Sequence, residues 1–214
     1  MESNDLIEKR NEYQSENIVK SSHHNKREKH RYQVKPITNK ISIEFSMIGS
    51  KSISHRALII SALAEGKSVL KNLSNCHDVR LTKIALTNLG IRIETNGNHT
   101  EVWGGLQQFH KFPSRFDLGN SGTTYRFLMG ILSLLDRPFI IEGSPRMHAR
   151  PIGELVDILQ QGGVKIEYLE KPDFPPITVE GKFQGGKYQI SSKVSSQFAS
   201  SLLLIGPALP LGLQ

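Results

Sequence analysis

The chain carries one structural block twice, and this repeat limits its fold more than any other feature. The stretch from Gly49 to Leu58 aligns with that from Gly119 to Leu128, which sets Arg56 over Arg126, 70 residues on. Further along, Leu89-Gly90-Ile91-Arg92-Ile93-Glu94 aligns with Gly162-Gly163-Val164-Lys165-Ile166-Glu167. Each block reads strand, polar turn, buried helix, strand, amphipathic helix, strand. A third block opens at Ser195, where Phe198 falls 72 residues beyond Arg126. Repeats of one supersecondary unit pack by burying equivalent faces against each other. The expected fold is therefore α/β (α+β), with apolar helices gathered at the centre and their polar N-termini at one end.

Local patterns supply the elements. A strand is expected within 36–45 and a helix within 52–63, whose residues 57–64 are almost continuously apolar, the mark of a buried helix. A strand at 68–73 follows. Asp78 is read as the N-cap of an amphipathic helix with Val79, Leu81, Ile84, Ala85 and Leu89 on its core face, and Gly90 as its stop. Strands at 91–94 and 100–103 flank the turn Asn96-Gly97-Asn98. In the second block, an apolar helix spans 127–135 and a strand 139–142. A further helix spans 151–161, with Pro151 at its first position, and strands follow at 164–168 and 177–180. The third apolar helix is expected from Ala199 to about Gly206.

The polar turns carry the chemistry. A Gly-Ser turn at a helix start offers unpaired backbone N–H groups and the positive end of the helix dipole to an anion. In Gly49-Ser50-Lys51-Ser52-Ile53-Ser54-His55-Arg56, Lys51 adds a point charge, the serines add hydroxyls and Arg56 adds a planar fork suited to phosphate or carboxylate. This is not a Walker A loop, because Ser50 precedes Lys51 and no Gly stands five positions earlier. If the repeats pack as expected, Lys51, Ser52, Arg56, Asn120, Gly122, Thr123, Arg126, Arg146, Arg150, Ser195, Ser196 and Gln197 converge on one surface. No Ser-His-Asp arrangement stands out. His55 and His148 are read as surface or hydrogen-bonding residues, and Cys76, Trp103 and Phe127 as loop or packing residues.

Composition narrows the partners. With 27 Lys and Arg against 20 Asp and Glu, the net charge is +7, which suits phosphorylated or otherwise anionic ligands. A single cysteine excludes an intramolecular disulfide and offers no thiolate metal cluster. No apolar run approaches the roughly 18 residues that span a bilayer, and the N-terminus is too polar for a signal peptide. The expected chain is soluble and cytoplasmic. Residues 1–32 read as a disordered polar tail, with residues 33–214 as the folded part. The tail's His-Lys-Arg cluster lacks the aromatic interleaving of a nucleic-acid binder and the fixed spacing of a metal site. No nucleic acid, membrane, metal or cofactor is expected.

Four motifs, in order, resemble signatures of the EPSP synthase family, the 3-phosphoshikimate 1-carboxyvinyltransferases. The stretch from Gly49 to Leu58 resembles the family's first substrate loop, and Leu118-Gly119-Asn120-Ser121-Gly122-Thr123 its phosphoenolpyruvate loop. The stretches from Pro145 to Gly153 and from Val194 to Phe198 are similar to two more. The resemblance covers about 36–210. It implies two like domains of three β-α-β-α-β-β units each, and metal-free transfer of the enolpyruvyl group of phosphoenolpyruvate to the 5-hydroxyl of shikimate 3-phosphate, with release of phosphate. By position, it implies that Lys51, Ser52, Arg56, Ser195, Ser196 and Gln197 hold shikimate 3-phosphate. Lys51, Asn120, Gly122, Thr123, Arg150 and Gln197 would meet phosphoenolpyruvate, with Arg126 and Arg146 supporting.

The chain departs from that family in places. Ile48 stands where Pro is usual, His55 where Asn is common, and Phe127 where Pro is common. The family's chain is about twice as long, usually monomeric, and its second domain supplies the acid–base residues. The chain is thus expected to be one incomplete domain of two, a fragment without turnover alone. The other readings are a UDP-sugar enolpyruvyl transferase, a non-catalytic anion-binding module and a basic-tailed nucleic-acid binder.

Overall fold

The computed structural model describes residues 49–190 and 195–214. The expected tail 1–32, the strand within 36–45 and Val194 lie outside the described residues.

Helix α1 (Lys51–Leu63) starts where Ser50, in extended backbone, accepts the Ile53 N–H through its hydroxyl. It is followed by β1 (Gly66–Lys71), α2 (His77–Asn88), β2 (Arg92–Asn96) and β3 (His99–Gly104). The three strands form an antiparallel sheet in the order β1-β3-β2. The second unit repeats the plan with β4 (Arg115–Asp117), α3 (Gly122–Leu132), β5 (Phe139–Glu142), the short α4 (Pro145–His148), α5 (Gly153–Gln161), β6 (Lys165–Tyr168) and β7 (Ile177–Glu180). Its sheet runs β4-β5-β7-β6, with β4 parallel to β5 and the other pairs antiparallel. Without β4, the two sheets have the same strand order, so the sequence repeat is a structural repeat. A third unit contributes α6 (Ser196–Ile205), and Gly186 then bridges Leu213 in parallel, the same sense as β4 and β5.

The apolar helices occupy the centre. In α3, every described position except Thr123 is buried, which follows from a helix that is apolar on all sides. The buried Tyr125 hydroxyl donates to the Ile141 carbonyl at 2.9 Å and pins α3 to β5. α6 packs along α3, where the Ser201 hydroxyl donates to the Arg126 carbonyl at 2.6 Å. On the α1–α3 side, α2 buries Val79, Ala85 and Leu86. α5 buries Leu155, Val156, Ile158 and Leu159 and packs on β6. The α1–α6 side has no such cover among the described residues. It is an apolar groove of about 580 Å³ with Ile60, Leu63, Leu203 and Leu204 in its walls.

Five expectations need correction, the first being Ile84, which is 54% exposed and not on the core face of α2. The N-cap of α2 is Cys76, not Asp78, which sits in the first turn. α5 starts at Gly153 rather than Pro151, because Ile152 caps it at φ −134° while its N–H is spent on the Asp173 carbonyl at 2.8 Å. α3 runs 122–132 rather than 127–135. Its N-terminus is set by Ser121, and at its other end the Ser133 hydroxyl donates to the Gly130 carbonyl at 2.7 Å. The apolar run of α1 is not buried on every side, since Ile60 is 54% exposed at the groove.

Candidate functional site

The starts of α1, α3 and α6 are built alike. Each is capped by a serine hydroxyl, from Ser50, Ser121 and Ser195 respectively, which accepts a first-turn N–H. One turn in, Arg56, Arg126 and Ser200 each donate to the carbonyl four residues earlier, those of Ser52, Gly122 and Ser196. The third repeat is therefore in register at Ser200, 74 residues beyond Arg126, and not at Phe198.

Side chains tie these starts together. Lys51 Nζ lies 2.5 Å from Asp78 Oδ2, joining α1 to α2. Arg56 Nη2 donates to the Ser200 hydroxyl at 2.9 Å, and its guanidinium lies over the Phe127 ring at 5.4 Å. Arg126 Nη1 donates to Gln197 Oε1 at 3.0 Å, while Gln197 Nε2 donates to the Thr123 hydroxyl at 2.9 Å. This amide is held from both sides by α3. Arg126 Nη2 reaches the Pro151 carbonyl at 3.3 Å, and Arg150 Nη1 the Asn120 carbonyl at 3.3 Å.

The electrostatic balance is strongly positive. Among the described residues, Asp78 is the only carboxylate paired with any of Lys51, Arg56, Arg126 or Arg150. Arg126 is only 8% exposed, and its Nε has no hydrogen-bond partner among the described residues. Burial, and then the neighbouring Arg150 charge, pull its pKa below the usual arginine value. A Cβ on Gly122 would stand 2.7 Å from Nη1 of both Arg126 and Arg150. Bare backbone there lets two guanidinium groups crowd one helix start, an arrangement suited to a small anion.

The structure thus brings together Lys51, Arg56, Asn120, Gly122, Thr123, Arg126, Arg150 and Gln197. Ser52 and Ser196 sit exposed at their helix starts, and the Ser195 hydroxyl is engaged in capping. No side-chain contact among the described residues ties Arg146 to them. It is exposed on α4 and makes no hydrogen bond or ion pair among the described residues.

Two functional features escaped the sequence. One is the Lys51–Asp78 pair, hidden because an acidic residue at a helix start reads equally well as a cap. The other is the set of partners around His55. That residue is wholly buried on α1, with Nδ1 2.7 Å from the Thr82 hydroxyl and its ring edge-on to Phe127. Burial lowers its pKa from 6.5 to about 4, opposed by Asp78 and aided by Lys51 and Arg56. Its place on the inward stripe with Leu58, Ile59 and Ala62 was the available signal. Trp103, read as packing, is partly exposed, with the Arg92 guanidinium 4.1 Å from its ring centroid.

A sequence model described as EPSP synthase (3-phosphoshikimate 1-carboxyvinyltransferase) matches residues 35–212. The chain belongs to the EPSP synthase family. It is 46% identical over 162 residues to the 3-phosphoshikimate 1-carboxyvinyltransferase of Proteus mirabilis, covering 74% of this chain and 38% of that protein. An Escherichia coli relative of the same name is 45% identical over 165 residues, covering 76% and 39%. The solved EPSP synthase of Acinetobacter baumannii superposes with a TM-score of 0.69 at 29% identity, over 76% of this chain and 37% of that one. The chain therefore spans less than two-fifths of the relatives it matches, and within that span it has the family's fold as an incomplete domain. Among the described residues, no helix is long and apolar enough to cross a membrane.

Proposed function

We propose that this chain provides one substrate-binding face for enolpyruvyl transfer from phosphoenolpyruvate to the 5-hydroxyl of shikimate 3-phosphate, with phosphate as the leaving group. Residues 33–214 form most of one of two domains in that reading. The observation that carries it is the buried, carboxylate-free Arg126 beside Arg150 at the bare backbone of Gly122, next to two further helix starts that bear Lys51 and Arg56. Bringing two phosphates and two carboxylates together is costly in water, and fixed cations with oriented N–H groups offset that repulsion.

In this reading Lys51, Ser52, Arg56, Ser195, Ser196 and Gln197 hold shikimate 3-phosphate. Lys51, Asn120, Gly122, Thr123, Arg150 and Gln197 hold phosphoenolpyruvate. Arg126 sets the Gln197 amide through the contact at 3.0 Å. Arg146, exposed on α4, has a supporting role. The acid–base groups come from outside these 214 residues, so the chain binds ligand without turnover.

Titration calorimetry with shikimate 3-phosphate tests the reading. Lys51→Met removes a charge-assisted contact, so affinity falls about ten- to hundredfold. Absence of heat from the unmodified chain, or equal affinity in the variant, refutes the assignment. Steady-state turnover by the 214-residue chain refutes the division of labour.

A further inference from the structure

The starts of α1 and α3 are joined by a buried chain of polar side chains that the proposed chemistry does not use. His55 Nδ1 lies 2.7 Å from Thr82 Oγ1, which lies 2.8 Å from Thr124 Oγ1. Thr124 Oγ1 lies 2.7 Å from Ser121 Oγ, the cap of α3, and donates to the Asp78 carbonyl at 3.2 Å. The carboxylate of the same Asp78 holds Lys51. His55, Thr82, Thr124 and Ser121 are all at most 2% exposed.

The proton count and the surroundings of the ring together set the direction of the chain. Each hydroxyl has one proton to give. If Nδ1–H donates to Thr82, the Thr82 proton has two acceptors, Thr124 Oγ1 at 2.8 Å and the Asp78 carbonyl at 3.4 Å; on the shorter contact Thr82 donates to Thr124, Thr124 to the Asp78 carbonyl, and Ser121 to Thr124. Every donor is then used, and Ser121 stays free to accept the Thr124 N–H, 3.4 Å away. The one atom left over is His55 Nε2, buried without a partner among the described residues. In this tautomer it is a bare acceptor. The other tautomer would bury an orphan N–H, which native interiors tolerate less often than an under-used acceptor.

We infer that His55 is a positioning residue: as the neutral Nδ1–H tautomer it acts through Thr82 and Thr124 to hold the capping turn Ser121–Thr124 in place relative to Lys51 and Asp78. One imidazole on α1 thereby sets the phosphate-facing start of α3. Three helices meet in this chain, so a shift of any one of them breaks it.

The test uses the 15N-labelled 214-residue chain without ligand. Long-range 1H–15N ring spectra at neutral pH show the Nδ1–H tautomer, and an Nε2–H ring overturns the inference. Amide exchange at Thr124 and Tyr125 then reads the capping turn. His55→Leu and Thr82→Val each accelerate it about tenfold, the effect of one buried hydrogen bond. The double variant is no worse than either alone, because both cut one chain. His55→Asn restores most of the protection, since its side-chain nitrogen lies as many bonds from Cα as Nδ1. Ile166 and Val179, on β6 and β7, keep their protection throughout. If His55→Leu fails to fold, Thr82→Val and His55→Asn decide the matter. Unchanged exchange at Thr124 in Thr82→Val overturns the inference.

A ligand arm rests on the function proposed above. With shikimate 3-phosphate present, His55→Leu weakens phosphoenolpyruvate about tenfold and leaves shikimate 3-phosphate affinity within about twofold. If the unmodified chain binds neither ligand, that function fails, while the exchange data still judge the relay.

Discussion

At the residue scale, His55 carries the clearest pH consequence. Its pKa is near 6.5 in the unfolded chain and about 4 in the fold, chiefly because burial disfavours the charged ring. The unfolded state therefore binds the extra proton first. Above about pH 6.5 the residue is neutral in both states and adds no pH dependence. As pH falls from there toward 4, stability falls, and below 4 the loss levels off. The full loss is on the order of 3 kcal/mol, with about 2 kcal/mol of it reached by pH 5. His55→Asn cannot titrate, so its urea-unfolding free energy drops less between pH 7 and pH 5 than that of the parent. Equal drops in the two proteins would show that His55 is charged or solvated in the fold. The sequence marked this histidine as a surface or hydrogen-bonding residue, and its complete burial overturns the first of these. One residue's neighbours across three helices are a tertiary fact, and only the position of His55 beside Leu58 and Ile59 hinted at it.

At the element scale, the close approach of α3 and α6 sets the geometry of the Arg126–Gln197 contact. Gly130 makes that approach feasible. A Cβ there would stand 2.8 Å from Ser201 Oγ and 3.2 Å from the Ser201 carbonyl oxygen. In an isolated helix, Gly→Ala gains about 1 kcal/mol of propensity. Here the backbone contact cannot relax without moving α6, so overpacking of about 1–3 kcal/mol wins. Gly130→Ala thus lowers stability by about 1 kcal/mol and loosens Gln197. Ser201→Ala in the same chain relieves the hydroxyl contact but gives up its bond to the Arg126 carbonyl at 2.6 Å. The pair is therefore non-additive in a double-mutant cycle read by urea unfolding. A stabilised Gly130→Ala would mean that the helices do not meet here. Helix identities were legible because apolar runs are local signals. Their exact starts were less so: Pro151 looked like a first helical residue, yet Ile152 is drawn to the Asp173 carbonyl by a contact remote in sequence.

At the scale of the whole molecule, the repeat predicts more symmetry than the described residues complete. Among the described residues, the cleft between α1 and α3 is covered by α2, while the cleft between α6 and α1 stays open. The repeat was readable because its glycine turns and arginines recur at near-constant spacing. The open side was not, because an all-apolar helix reads as buried whatever covers it. Leu203 is 67% exposed and Ile60 54%, so each already keeps most of its contact with water. Replacing both by Gln removes little buried area, and surface substitutions of this kind stay within about 0.5 kcal/mol each. The groove of about 580 Å³, by contrast, is large enough to take an apolar dye such as anilinonaphthalene sulfonate. The unmodified chain should bind that dye while fully folded, with Arg56 in the lining of the groove to meet the sulfonate. Ile60→Gln with Leu203→Gln should abolish most of the fluorescence and leave the urea midpoint in place. A midpoint that drops by more than about 1 kcal/mol equivalent would show that these side chains are buried in solution, and unchanged fluorescence would place the dye elsewhere.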